Sequence, residues 1–119
     1  MLDPKLLMAE TEQIKQYLKR IDTIFEHTKQ EQKSPNFYDE VKPFFEEVEE
    51  RVNRWFERAK GWVELNRPKD LYSFQLEAVK DQLLEISVWA FYPETSYKRF
   101  KHYVNSIHYT LEKLLSALA

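Results

Sequence analysis

A single glycine, Gly61, stands among 119 residues. Hairpins and tight turns draw on glycine for positive φ, so a chain with one glycine is poorly equipped to build a β-rich domain. Its punctuation comes from proline instead. Of Pro4, Pro35, Pro43, Pro68 and Pro93, those in "KQEQKSPN", "NRPKD" and "YPETS" cut the chain into four pieces.

Each piece carries an apolar stripe at alternating spacings of four and three. The first has Leu7, Thr11, Ile14, Leu18, Ile21, Phe25 and Thr28, and the second Val41, Phe45, Val48, Val52, Trp55, Ala59 and Trp62. The third has Tyr72, Leu76, Val79, Leu83, Ile86 and Ala90, and the fourth Tyr97, Phe100, Val104, Ile107, Leu111, Leu114 and Leu118. Only Thr11 and Thr28 are not apolar, and a stripe of this period faces a core made by other helices. The pattern predicts helices over about 4–30, 38–66, 73–92 and 96–118, roughly 30 to 43 Å long at ~1.5 Å per residue. Short connections make sequential helices antiparallel, so the expected fold is all-α: an up-and-down four-helix bundle in a single domain spanning 1–119.

Local signals set the ends. Asp3 caps the first helix with Pro4 in its first turn, Ser73 caps the third, and Thr95 or Ser96 the fourth. Pro43 leaves two alternatives. If Asp39 caps the second helix, Pro43 costs only the first internal hydrogen bond; if Asn36 does, "FYDEVK" becomes a separate turn and the helix kinks. Gly61, beside Trp62, is read as making room for a bulky neighbour.

The tripeptide "RPK" (67–69), "LEAVKD" (76–81), "KRFK" (98–101) and "SIHYTL" (106–111) resemble the YppE-like family of small helical proteins from Gram-positive bacteria. The likeness runs over most of the chain and is weakest in the first 35 residues. It implies a cytoplasmic four-helix bundle. Because that family has no established activity, it lends no functional residue to this sequence.

The residues argue several chemistries away. Absence of cysteine removes disulfides, thiolate catalysis and cysteine-type zinc sites. No basic segment followed by a long apolar run opens the sequence, and no run reaches the ~18 apolar residues of a spanning helix, so the expectation is a cytoplasmic chain with no membrane contact. Di-iron bundles need inward Glu and Glu-x-x-His; the stripes hold neither, and His27, His102 and His108 lie off them, so no metal and no cofactor are expected. Glu47 and Glu50 each precede an arginine by four, which reads as surface pairing rather than acid–base catalysis. The chain is expected not to be an enzyme.

Three surfaces stay open. On the third helix Leu84, Val88 and Phe91 form a second apolar stripe, with Trp89 at its edge, roughly opposite the core face. Burying each such side chain contributes ~1.5–3 kcal/mol, so something should cover them: the "FYDEVK" segment, a second copy in a homo-oligomer, or another protein. Arg51, Arg54, Arg58, Arg67 and Lys69 make a basic run that nucleic acid would use, although with a net charge of −2 nucleic acid is not favoured. A third option is an apolar ligand between Trp55, Phe56 and Trp62, against the plainer reading of filled core.

Overall fold

The computed structural model describes residues 3–119. Its helices are α1 (Pro4–Glu31), α2 (Lys42–Asn66), α3 (Ser73–Trp89) and α4 (Tyr97–Leu118), and a single π turn over Phe37–Val41 leads into α2. No strand occurs among the described residues. Each helix packs on the next and α4 closes against α1, which gives an antiparallel four-helix bundle of 46 × 26 × 20 Å.

The helix starts follow side-chain chemistry. The Asp3 carboxylate accepts the Lys5 N–H at 3.0 Å, with Pro4 first in the helix, where it has no partner to lose. Ser96 caps α4 by accepting the Arg99 N–H at 3.2 Å, while the Thr95 hydroxyl donates to the Trp89 carbonyl. Ser73 does not cap α3. It is the first helical residue; Tyr72 precedes it and donates its N–H to Gln75 Oε1 at 2.9 Å. Buried Leu71 before that cap and Leu76 four residues into the helix stand at the two positions of a hydrophobic staple. The end of α3 comes at Trp89, short of 92, because Phe91 and Tyr92 donate three residues back in tightened turns.

Of the two caps considered before Pro43, Asn36 is the one used. Asn36 accepts the Asp39 N–H at 3.0 Å, and Glu40 accepts the Asn36 N–H at 2.7 Å. The chain then makes one wide turn, Lys42 donating to Phe37, and Pro43 falls where that turn gives way to α-helix, so its missing N–H is absorbed at the junction. Scarce glycine shows at the other ends. Gln32 (φ 56°) and Arg67 (φ 47°) close α1 and α2 in the left-handed conformation that glycine usually supplies.

The core takes the first stripe from Leu7 to Phe25, with Phe25 stacked on Phe100 of α4 at 3.8 Å between ring centroids. Two polar side chains are buried among the described residues and both are satisfied: Thr11 donates to the Leu7 carbonyl (2.8 Å) and accepts the Trp55 indole N–H (3.0 Å), and the Ser87 hydroxyl donates to the Leu84 carbonyl (2.7 Å). In α2, Phe44, Phe56 and Val63 are buried, whereas the expected Phe45 and Trp62 are half-buried. Tyr72 and Tyr97, expected inside, are exposed, because side chains in a first turn tilt toward the N-terminus and past the end of the core. Thr28 and Val104 lie at its margin. The room-making reading of Gly61 fails, since a Cβ there would meet nothing within 4 Å.

Candidate interaction surface

The second stripe of α3 is shared among its neighbours. Leu84 and Phe91 pack on the edge of the core, and the Phe91 ring meets Phe44 edge-on at 5.7 Å. Trp89 turns the other way, 5.2 Å from the Tyr103 ring, with the Arg99 guanidinium 5.2 Å above its own. Val88 lines a hollow of about 340 Å³ with Phe37, Val41 and Phe45. The segment 37–42 thus lies beside the stripe, as the intramolecular alternative required, and Leu84, Val88, Trp89 and Phe91 are all half-buried.

Beyond the Val88 hollow the apolar surface continues outward. Phe37 is 46% exposed and Tyr38 76% exposed, the two rings meeting edge to face at 5.3 Å. The opposite end of the bundle, where α2 hands over to α3, exposes Leu65 (72%), Tyr72 (55%) and Phe74 (67%). The apolar stripes leave out Phe37, Tyr38, Leu65 and Phe74, which belong to none, and place Tyr72 inside. For the aromatics among them the signal is a nearby proline-marked turn.

The basic residues do not form one surface. Arg54 pairs with Glu50 at 3.0 Å and Arg58 reaches Glu10 of α1 at 3.6 Å. Arg51 is half-buried and lacks the expected pairing with Glu47, which instead accepts from the Tyr17 hydroxyl at 2.5 Å and Arg20 at 3.5 Å. Burial, then this hydrogen bond, raises the Tyr17 phenol above its ordinary range. Arg67 and Lys69 lie apart from the others, at the α2–α3 corner.

Further ion pairs tie α4 to α1. Lys101 contacts Asp22 (2.5 Å) and Glu26 (3.2 Å); burial lowers its pKa, but those carboxylates outweigh it and the net shift is upward. Lys15 bonds Glu112 at 2.5 Å, which holds that carboxyl below its usual range. Trp55 and Phe56 are packed core, Phe56 beneath Lys80 at 4.5 Å, and Trp62 is half-buried. Among the described residues no three His, Asp or Glu side chains converge on a point that would hold a metal, and no helix is long and apolar enough to cross a membrane.

Comparison with known proteins gives a consistent set of matches. The pattern of the bacterial domain of unknown function DUF1798 matches residues 11–118. The uncharacterized protein YppE of Bacillus subtilis is 32% identical over 113 residues, 95% of this chain and 92% of its own length. The crystal structure of that protein superposes with a TM-score of 0.91 at 30% identity, covering 98% of this chain and 95% of the other. A Listeria innocua protein of unknown function gives 0.92 at 29% identity, over 97% and 92% of the two chains.

Proposed function

The chain belongs to the bacterial DUF1798 family, and from that premise we propose that it is a non-enzymatic protein-interaction module. It would self-associate or receive a partner helix on the face formed by Val88 with Phe37, Tyr38 and Phe45. One observation carries the reading. The inward faces of all four helices are spent on an apolar core whose Thr11–Trp55 polar link is satisfied, while large aromatic side chains such as Tyr38 are left in water. Perturbed acids and bases in a cleft are the usual mark of catalysis. Here the shifts of Lys15, Lys101 and Glu112 follow from pairing across helix seams, and that of Tyr17 from burial and then its bond to Glu47. Apolar rings at a surface gain free energy when a second apolar surface removes them from water.

The test compares wild type with Val88→Asp and Tyr38→Ser. Mass is measured by sedimentation across a range of protein concentrations, and bound proteins are captured from the native cell. Association lost in the variants at unchanged melting temperature supports the reading. A strictly monomeric wild type that captures nothing, with Val88→Asp merely less stable, rejects it.

A further inference from the structure

The corner between α2 and α3 forms an open cleft of about 600 Å³, within the size range of sites that hold drug-sized ligands. Its apolar lining includes the buried side chains of Val63 and Leu71, and one wall is the exposed ring of Tyr72. Tyr72 is held parallel to Phe74, 5° between planes and 5.8 Å between centroids. Four charges complete the lining: Glu64, Arg67, Lys69 and Asp70. None of the four joins an ion pair within 4.0 Å among the described residues.

Two cations and two carboxylates around one hollow decide what it fits. A simple anion gains from Arg67 and Lys69 but is repelled by Glu64 and Asp70, and a simple cation meets the reverse. A ligand with both signs gains from all four, and an apolar body gains from the exposed Tyr72 wall. We propose that this corner docks a short peptide segment of a partner protein, bearing one acidic and one basic residue around an apolar or aromatic side chain. The proposal rests on the interaction-module reading and places a second contact at the end of the bundle opposite Val88.

A random-peptide display library panned on the wild-type protein tests it. Enriched peptides should share the mixed-charge, apolar-centred pattern. Arg67→Glu, Lys69→Glu and Asp70→Lys should each weaken their binding about tenfold, the size of one lost charged hydrogen bond. Exchanging the matching charge in the peptide should restore it. All three positions are exposed, so melting temperature monitors folding, and any one variant that stays folded suffices. Peptides that bind wild type and variants equally overturn the corner while leaving the interaction module standing; no enrichment at all also overturns the corner. The Val88→Asp mass measurement judges the module separately.

Discussion

Replacing Thr11 by valine tests whether the core is held by one satisfied polar link or by bulk alone. The side chains are nearly the same shape and have similar helix propensity, so the exchange isolates the hydroxyl. In the native bundle that hydroxyl accepts the indole N–H of Trp55 at 3.0 Å, and Trp55 is only 1% exposed. With valine the N–H stays buried without an acceptor, a loss of about 1–3 kcal/mol. The extra methyl returns at most ~0.8 kcal/mol. A net loss of about 1–2 kcal/mol corresponds to roughly 4–8 °C in Tm at ~0.25 kcal/mol/K for a chain of this length. Urea unfolding followed by far-UV circular dichroism reads it without relying on tryptophan fluorescence, which the substitution would itself change. Removing the donor as well, by Trp55→Phe, should make the Thr11→Val effect vanish or reverse, so a double-mutant cycle shows coupling of about 1–2 kcal/mol or more. If Thr11→Val matches or exceeds wild-type stability, or the coupling is absent, the polar link contributes nothing and the argument fails.

Gly61→Ala should stabilise by about 0.8–1 kcal/mol, the helix-propensity difference, because the new methyl meets nothing; a fall in Tm would show a hidden close approach. Arg67→Gly should gain roughly 1 kcal/mol by relieving a left-handed residue at φ 47°, partly offset by a looser unfolded chain, while weakening peptide binding at the corner; calorimetry and the display-selected peptides read the two effects. Tyr17→Phe should remove from the alkaline absorbance titration a component above the ordinary phenol range. A raised acid pKa means the fold favours the neutral phenol. Its stabilisation is therefore full below the unfolded phenol pKa and is lost as pH rises through the folded one, and denaturant titrations across that window should show wild type losing stability that Tyr17→Phe does not.

The helix ends were legible where a single side chain decides them. Asp3 and Ser96 cap as their identity predicts, and Asn36 settles Pro43 through a hydrogen bond that one of the two readings named. Ser73 misled because the preceding Leu71 and the following Gln75 and Leu76 fix the start one residue earlier, by staple and back-bond. That combination stands in the sequence. The surface was less readable. Whether Val88 is covered depends on where the 37–42 turn lands, and the α2–α3 cleft depends on two helices meeting at an angle that no periodicity encodes.

The second helix shows where the stripe argument needs refinement. A strict alternation of four and three repeats every 3.5 residues and keeps the seam on one neighbour, so it selects Phe45 and Trp62. The buried set keeps Val48, Val52, Trp55 and Ala59 from that selection and adds Phe44, Phe56 and Val63, so the buried face is wider than a single seam. A face that wide reaches two neighbouring helices at once. Phe44 lies beneath Arg20 of α1 and meets Phe91, while farther along Trp55 bonds Thr11 of α1 and Phe56 lies beneath Lys80 of α3. The helix therefore faces both neighbours along its length. Beyond that face Trp62 stays half-buried against the core, and Leu65 is 72% exposed near the corner where Tyr72 and Phe74 emerge. The width of the buried face of α2 thus bears on which aromatics stay inside and which remain for a partner.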